Sequence, residues 1–363
     1  MNTGEWISKH AKISRHKTAI IFEDRRITYP ELNERVNCIS NALLDRGIVK
    51  GDRVAAMLYN CPEFLEVYFA LSKIGAIFVS LNFRLAAQEL EYQLINSQTK
   101  FMIFDNDFSE RIDSIRHNLK IDSNNYVCLN KSEHDWALDY EEFIHNGTSQ
   151  EPEVKEKVKI EDPQMIMYTS GTTGIPKGAL LSHKKTFYNT LNAQLYFNMT
   201  SKDIMLVVMP LFHSGGLNIS AVPILYTGGT AVIQKFFSPE MTLSLIEKHS
   251  ITLSMMVPTM LNFMLKSTNI DDYNLGSLKT LLVGGEPISI SLIKEYQNRN
   301  IPLRQVFGQT ETSIQLWLSE EDAVRKAGSV GLPVFHADVR VVNKQGNDVV
   351  PGEVGEIVLK GPT

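Results

Sequence analysis

The stretch Thr169-Ser170-Gly171-Thr172-Thr173-Gly174-Ile175-Pro176-Lys177-Gly178 decides how the chain is interpreted, because seven of its ten residues are glycine or carry a hydroxyl group. A backbone with so few Cβ atoms can curve around an anion and direct its N–H groups toward it. The hydroxyls of Ser170, Thr172 and Thr173 add donors, and Lys177 adds a compact positive charge. The composition therefore predicts a segment that binds a polyphosphate.

This stretch differs from the common phosphate-binding loop, which reads G-x-x-x-x-G-K-[ST] and has lysine directly after its second glycine. Here Ile175 and Pro176 separate Gly174 from Lys177, so the ordinary P-loop NTPase interpretation is rejected. A flexible Gly/Thr linker is the plainer alternative. Two features argue against it, because Pro176 would stiffen a linker and residues 165–168 have the apolar character of a buried strand.

The stretch resembles the phosphate-binding signature of the adenylate-forming superfamily, which includes acyl-CoA synthetases, adenylation domains of peptide synthetases and luciferase-like enzymes. Three further segments resemble motifs of that family, in the family's order, and the resemblance extends over the whole chain. They are an acyl-pocket motif, Pro210-Leu211-Phe212-His213-Ser214-Gly215-Gly216; an adenine-side segment, Gly284-Gly285-Glu286-Pro287; and an aromatic-Gly-x-Thr-Glu motif, Val306-Phe307-Gly308-Gln309-Thr310-Glu311-Thr312.

The resemblance implies an enzyme that activates a carboxylic acid with ATP and then transfers the acyl group to coenzyme A. In such a reaction the acid oxygen attacks the α-phosphorus and pyrophosphate leaves. Because negative charge accumulates on the phosphoryl oxygens, catalysis consists mostly of positioning and charge stabilisation. ATP, Mg²⁺ and coenzyme A are the cofactors and co-substrates that this chemistry requires.

The resemblance also implies roles for individual residues. Lys177 is expected beside a phosphate, Thr310 at the α-phosphate and Glu311 at Mg²⁺, which usually takes one or two carboxylates. His213, Gly215 and Gly308 are expected in the substrate pocket. Where the family usually has Tyr, Phe307 retains the stacking ring and lacks the hydroxyl. The expected ATP-binding residues are Thr169, Ser170, Gly171, Thr172, Thr173, Gly174, Lys177, Gly284, Gly285, Glu286, Phe307, Gly308, Gln309 and Thr310.

Each role has a plainer alternative when its motif is taken alone. Lys177 would be a solvated surface lysine, and the pair Thr310-Glu311 would be a helix start. His213 would be a packed structural residue, and residues 284–286 would be an ordinary strand-to-helix turn. Residues 254–265 contain four methionines, which either line an adaptable acyl pocket or pack in the core.

Hydrophobic periodicity predicts a mainly parallel α/β architecture. A helix is expected from 28 to 47, where Thr28 caps the start and Gly47 ends it. Strands and helices then alternate at 53–58, 62–74, 77–81, 87–97 and 100–104, which implies a parallel sheet covered by helices. The alternation resumes with strands at 165–168, 204–209, 230–234, 251–257, 279–283 and 303–307, and with helices at 239–249, 259–266 and 288–299.

The predicted organisation is two packed, doubly wound α/β subdomains followed by the start of a small β-barrel. Residues 50–195 are assigned to one subdomain, residues 1–49 with 200–327 to the second, and residues 328–363 to the antiparallel barrel portion. In open α/β sheets ligands bind beyond the carboxyl ends of the strands. Because each of the four motifs follows a predicted strand, we expect them to converge on one crevice.

Composition sets further limits. The net charge of −5 and the pI near 6.0 give no basic surface for a nucleic acid. The three cysteines fit neither a metal pattern nor a disulfide framework. The N-terminus lacks an apolar secretion core, and no apolar run is long enough to insert into a membrane, so a cytoplasmic protein is expected. The sequence leaves room for a homodimer.

The sequence therefore predicts an AMP-forming acid–CoA ligase, with overall similarity that favours the 2-succinylbenzoate ligases of menaquinone biosynthesis. Fatty-acyl or aryl-acid CoA ligases, carrier-protein-loading adenylation domains and a catalytically silent nucleotide sensor remain the alternatives. In this family a ribose-binding Thr-Gly-Asp segment and a C-terminal lid domain with a catalytic Lys follow the matched part. The chain ends before them, so the sequence leads us to expect weak nucleotide binding and poor turnover.

Overall fold

The computed structural model describes residues 2–131, 134–169, 174–267 and 269–363. Helices and strands alternate through most of this range. The elements are α1 Glu5–Ile13, β1 Thr18–Phe22, β2 Arg25–Thr28, α2 Tyr29–Asp45, β3 Arg53–Met57, α3 Pro62–Ile74, β4 Ile77–Ser80, α4 Ala87–Asn96, β5 Phe101–Asp105, α5 Ser109–Arg116, β6 Tyr126–Leu129, β7 Leu138–Asp139, α6 Tyr140–His145, β8 Pro163–Thr169, β9 Lys177–Ser182, α7 His183–Phe197, β10 Ile204–Val207, α8 Val222–Tyr226, β11 Thr230–Ile233, α9 Pro239–His249, β12 Leu253–Met256, α10 Pro258–Ser267, β13 Thr280–Gly284, α11 Ile290–Gln297, β14 Leu303–Gln309, β15 Ser313–Leu318, α12 Asp322–Arg325, β16 Leu332–Pro333, β17 Asp338–Val342 and β18 Glu356–Lys360.

The first sheet has seven strands in the order β7-β6-β5-β3-β4-β8-β9. All neighbouring strands are parallel except β9, which pairs antiparallel with β8. Strands β4 and β5 are buried along their whole length, because a parallel sheet is covered on both faces. This explains why the sequence shows continuous apolar runs here in place of alternation.

The second sheet has nine strands in the order β16-β15-β14-β13-β12-β10-β11-β1-β2. Its central strands, from β14 to β1, are parallel, and antiparallel strands extend both edges. One hydrophobic cluster contains Val54 and Phe78 of the first sheet together with Met205 and Ala231 of the second. The two sheets therefore pack against a common core, and the predicted α/β fold is confirmed.

Helix α2 forms where the sequence predicts it. The Thr28 hydroxyl accepts a hydrogen bond from the Glu31 backbone N–H, and the Glu31 carboxylate accepts one from the Thr28 N–H at 2.7 Å. This reciprocal pair is a capping box, which satisfies two helix-end donors. Pro30 lies in the first turn, where its missing N–H has no helical partner to lose.

Other predictions are extended or corrected by the structure. Strand β14 continues to Gln309, and Thr169 and Gly284 are the last residues of β8 and β13. Gly308, Thr169 and Gly284 therefore lie within strands, and the prediction that their motifs follow the strand ends is wrong. Strands β17 and β18 form a separate antiparallel two-stranded sheet. The barrel and the subdomain boundaries stay predictions. Among the described residues, no helix has the length and apolar character needed to span a membrane.

Candidate functional site

A cavity of about 410 Å³ lies where three of the four predicted motifs meet. Strands β10, β12, β13 and β14 are parallel neighbours, so their carboxyl ends lie at one edge of the sheet. The segments that follow or end these strands supply the walls. The lining residues are Met209, His213, Ser214, Gly215, Ile219, Met255, Gly284, Gly285, Val306, Phe307, Gly308, Gln309, Thr310, Ser313 and Ile314.

A smaller cavity of about 260 Å³ adjoins the first and shares Gly285, Val306, Phe307 and Gly308 with it. Glu286 and Pro287 line only the smaller cavity, so the predicted adenine-side segment faces both spaces. Gly285 has a φ of +84°, a conformation that favours glycine and lets the backbone border the cavity without a side chain. The Glu286 carboxylate accepts a hydrogen bond from the Thr259 hydroxyl at 2.8 Å.

The acyl-pocket motif is held in place by residues of the other sheet. Asn60, which follows β3, donates to the Met209 carbonyl at 3.0 Å and accepts from the Leu211 N–H at 2.7 Å. The Ser80 hydroxyl at the end of β4 donates to the Phe212 carbonyl at 3.3 Å. The seven-stranded sheet therefore positions a segment that belongs to the nine-stranded sheet, and the cavity depends on how the two sheets pack.

His213 borders the cavity with an exposed ring whose centroid lies 4.6 Å from that of Phe212. Desolvation by the surrounding protein lowers the pKa of His213, and the charge of Arg84 lowers it further. The lowered pKa favours the neutral ring, which suits pocket lining better than anion binding. The chain then enters the π-helical segment Gly215–Ala221, a rare geometry that is frequent at functional sites.

The third motif forms a β-bulge. The register between β14 and β15 shifts between Phe307 and Gly308. A Cβ atom at Gly308 would lie 1.6 Å from the Ser313 carbonyl oxygen, so only glycine fits. Thr310 and Glu311 occupy the turn that joins the two strands, where Thr310 lines the larger cavity and Glu311 is exposed beside it. The bulge therefore brings this turn to the cavity.

Glu311 is the candidate magnesium ligand, and it would supply one carboxylate. Across residues 2–131, 134–169, 174–267 and 269–363, no three His, Cys, Asp or Glu side chains gather into a metal site. Mg²⁺ characteristically binds one or two carboxylates and completes its shell with phosphate oxygens and water. The exposed Glu311 turn fits that kind of site, in which the nucleotide supplies the other ligands.

The phosphate motif is only partly described. Thr169 at the end of β8 pairs with Lys177 at the start of β9, and the Thr169 hydroxyl donates to the Lys177 carbonyl at 3.4 Å. Lys177 is exposed, and Gly174 has a φ of +82°. Thr169, Gly174 and Lys177 do not line the two cavities. Ser170, Gly171, Thr172 and Thr173 lie outside the described residues, so phosphate binding stays a prediction.

Sequence reasoning missed a buried lysine beside the larger cavity. Lys185 is the third residue of α7, and 4% of it is exposed. Its ammonium donates to the Ser313 hydroxyl, whose oxygen lies 2.8 Å from that of Ser214. Burial lowers the pKa of Lys185 to about 7, and the charge of Glu311 opposes that shift. The buried side of α7 is mostly polar, with His183, Thr186 and Asn189 beside Lys185, so no apolar pattern marked this lysine in the sequence.

The methionine-rich segment divides between the two interpretations given to it. Met255 lines the larger cavity. Met256 and Met264 are buried in a separate hydrophobic cluster of the nine-stranded sheet, against which Met260 packs. Met255 also belongs to the core cluster that the two sheets share, so core packing explains all four methionines and pocket lining applies to Met255 in addition.

A further cavity, of about 470 Å³, lies near the other edge of the nine-stranded sheet. Its lining includes Lys235, Phe236, Met241 and His249. None of the predicted site residues that the structure describes belongs to it. Size alone therefore does not identify the site, whereas the convergence of three motifs does.

Comparison with known proteins places the chain in a family. Residues 7–363 match the family model of the AMP-binding enzyme. An indoleacetate–CoA ligase from Aromatoleum aromaticum is 36% identical over 100% of this chain and 70% of that protein. A feruloyl-CoA synthase from Amycolatopsis is 35% identical over 99% and 70%. A 2-succinylbenzoate–CoA ligase from Bacillus cereus is 30% identical over 98% and 69%.

Solved structures agree with this assignment. The inhibitor-bound N-terminal domain of FACL13 from Mycobacterium tuberculosis has a TM-score of 0.91 at 29% identity, over 99% of this chain and 89% of that one. The o-succinylbenzoate CoA synthetase from Bacillus subtilis, in complex with the acyl-adenylate intermediate OSB-AMP, has a TM-score of 0.86 at 29% identity, over 99% and 69%. The chain therefore belongs to the AMP-binding enzyme family, in its acyl-CoA synthetase branch.

Proposed function

We propose that the protein is an AMP-forming ligase that joins an aromatic carboxylic acid to coenzyme A through an acyl-adenylate. The observation that carries this proposal is the cavity of about 410 Å³, in which three motifs from distant parts of the chain meet. The aromatic class is supported by the relatives, which are named for indoleacetate, ferulate and 2-succinylbenzoate. The sequence favours 2-succinylbenzoate within that class, and the relatives of higher identity are named for other acids.

The two adjoining cavities suggest how the substrates divide the space. The base of ATP occupies the smaller cavity between the Gly285-Glu286 backbone and the ring of Phe307, and the acid occupies the larger one. Phe307 and Gly308 border both cavities, so the carboxylate and the α-phosphorus meet at this boundary. Holding both reactants there replaces a bimolecular encounter by an oriented one, which is the main source of rate in such a step.

The first step forms a bond between the acid oxygen and the α-phosphorus and breaks the bond to the pyrophosphate oxygen. Thr310 lines the cavity beside this point, and its hydroxyl donates to an α-phosphoryl oxygen on which charge accumulates. Lys177 and the residues between it and Thr169 hold the departing phosphates. In the second step the coenzyme A sulfur bonds to the acyl carbon, and AMP leaves.

Glu311 would hold Mg²⁺, since its exposed carboxylate lies on the turn that carries Thr310. When bound, the ion neutralises phosphate charge. A cytoplasmic location, a homodimer and the absence of a nucleic-acid partner stay predictions.

The test is carboxylate-dependent exchange of labelled pyrophosphate into ATP, measured with indoleacetate, ferulate, 2-succinylbenzoate and a medium-chain fatty acid. We expect exchange with at least one aromatic acid and a loss of about 100-fold or more in Glu311→Gln, the size typical of removing one group that stabilises a developing charge. If the fatty acid alone supported exchange, fatty acids would replace aromatic acids as the proposed substrate class. ATP binding without exchange for any acid would favour a nucleotide sensor.

A further inference from the structure

The Lys185 ammonium is buried with too few acceptors. It has three N–H donors, and the described residues offer it one side-chain acceptor, the Ser313 hydroxyl. No ion pair joins Lys185 to a carboxylate in the described parts of the chain. Burying a charge with so few hydrogen-bond partners is destabilising even though Glu311 attracts it, and perturbed groups of this kind are frequent at functional sites.

The Ser313 hydroxyl accepts from the Lys185 ammonium and also shares a hydrogen bond with the Ser214 hydroxyl, 2.8 Å away, in which either oxygen can be the donor. Whichever of the two serines donates in that contact, the other keeps a hydroxyl hydrogen that remains to be donated. Because Ser214 and Ser313 both line the cavity of about 410 Å³, the chain of donors ends at that cavity. Each donor polarises the next, which strengthens the last one.

Neighbouring hydrogen bonds hold the row Lys185, Ser313 and Ser214 in place. Asn189, one turn after Lys185 in α7, accepts from the Ile314 N–H at 3.2 Å and donates to the Asn218 carbonyl at 2.6 Å. Helix α7 therefore fixes both β15, which carries Ser313, and the π-helical segment that follows Ser214. The other cavity walls near this end include the apolar side chains of Met209, Met255, Ile219 and Ile314, which offer an acceptor nothing to bind.

We propose that Lys185, acting through Ser313 and Ser214, makes the cavity selective for acids that carry a second anionic group, a carboxylate, apart from the carboxylate that is activated. This inference rests on the proposed function and narrows its substrate class. An acid without the second group leaves the remaining hydroxyl hydrogen of the Ser214–Ser313 pair without an acceptor and adds no negative charge near the buried ammonium. A site built to hydrogen-bond a group discriminates strongly against the analogue that lacks it.

The experiment uses two pairs of acids that differ by one carboxylate. They are 2-succinylbenzoate with 4-oxo-4-phenylbutanoate, and homophthalate with phenylacetate. Dissociation constants are measured by calorimetry on protein saturated with α,β-methylene ATP. In at least one pair, we expect the dicarboxylate to bind about 10- to 100-fold more tightly, the range of a hydrogen bond to a charged group. Equal binding within both pairs, or no binding by any of the four acids, would overturn the inference.

Variants locate the selectivity. Lys185→Met should bring the ratio of the two dissociation constants within a pair of acids to near one. Lys184→Met, the same change at the partly exposed neighbour, should leave that ratio unchanged. Ser313→Gly should also reduce this ratio of dissociation constants, and glycine suits the positive φ of the residue. The double variant with Lys185→Met should reduce the ratio little further than either single variant. If Lys185→Met weakened both members of a pair equally, Lys185 would act on the activated carboxylate or on the fold, and the selectivity role would be wrong.

The outcome is separable from that of the proposed function. Binding of α,β-methylene ATP and pyrophosphate exchange test the ligase reaction, and the ratio within each pair of acids tests Lys185. If Lys185→Met failed to fold, Ser313→Gly would carry the same measurement. Suppose that acids with one carboxylate support exchange and that neither pair shows a preference for the dicarboxylate. The proposed ligase function would then stand, and the selectivity role of Lys185 would be wrong.

Discussion

Two buried lysines in this molecule have opposite environments. Lys73 in α3 is 6% exposed, and its ammonium donates to Asn33 at 2.7 Å, Asn37 at 2.6 Å and Glu151 at 2.8 Å. Lys185 in α7 is 4% exposed and donates to one serine hydroxyl. Each N–H of Lys73 therefore has an acceptor, one of them charged, whereas the described residues offer the Lys185 ammonium an acceptor for one of its three N–H groups.

The difference separates a structural from a functional use of the same residue type. The Lys73 ammonium links α2, α3 and the segment at Glu151 by hydrogen bonds, and it lines neither of the two cavities where the predicted motifs meet. Its role is therefore structural. Lys185 lies behind two hydroxyls that border the cavity. Burial lowers the pKa of both groups, with Glu151 opposing the shift at Lys73, so a shifted pKa alone does not distinguish them. The count of acceptors does.

The largest expected effect concerns a third buried titratable group. His183, the first residue of α7, is fully buried, and burial lowers its pKa to about 4 while Asp162 opposes the shift. Between pH 6.5 and pH 4 the unfolded chain binds the proton and the folded chain does not, so stability falls as pH falls through this window. We expect the loss at pH 4.5, relative to pH 7, to be about 2–3 kcal/mol.

The measurement is denaturant unfolding of the wild type and His183→Gln at both pH values. The variant should lose less stability than the wild type, because it lacks the titrating ring. Parallel losses in the two proteins would show that carboxylates elsewhere account for the acid sensitivity, and that burial of His183 is not decisive.

The next largest effect is a loss of stability when Lys73 is replaced, and it tests the structural role of this lysine. Lys73→Met leaves Glu151, Asn33 and Asn37 without their shared donor. Since the Glu151 side chain is 49% exposed and water can replace part of the loss, we expect the free energy of unfolding to fall by about 2 kcal/mol. Urea unfolding measures this. The preference between paired acids should not change, and a changed preference would place Lys73 in the same functional class as Lys185.

The smallest effect is expected at Lys185. Lys185→Met keeps an unbranched side chain, shorter by one heavy atom, and removes a buried charge that has one hydrogen-bond partner among the described residues. The free energy of unfolding should therefore change by less than about 1 kcal/mol, in either direction. Urea unfolding under the conditions used for Lys73→Met gives the comparison. A loss as large as that of Lys73→Met would contradict the distinction drawn between the two lysines.

Local sequence signals predicted much of this fold because they act over short distances. The capping box at Thr28 and Glu31 needs contacts three residues apart, and helix α3 has the bounds that its apolar pattern predicts. The antiparallel additions were not predicted. Strand β9 begins at Lys177, within the phosphate motif, and β15 begins at Ser313, after the Thr310-Glu311 turn. The polar residues of these motifs obscured the strands beside them.

The candidate site was predictable to the extent that strand order places segments at one sheet edge. His213, Gly284 and Thr310 could be expected to meet because parallel neighbours end on the same side. The bulge at Gly308 could not be expected, because it arises from the approach of the Ser313 carbonyl across a strand pair. Roles for Lys177 and Glu311 came from resemblance to the family and stay predictions.

By itself the sequence determined the alternation of strands and helices, the caps and the order of the four motifs, since each depends on side chains that are close along the chain. The tertiary structure alone decided that Lys185 meets Ser313, 128 residues away, and that Ser214 completes the chain of donors. Such contacts depend on which helix packs against which strand, and hydrophobic periodicity carries no information about that pairing. The selectivity proposed here therefore depends on packing.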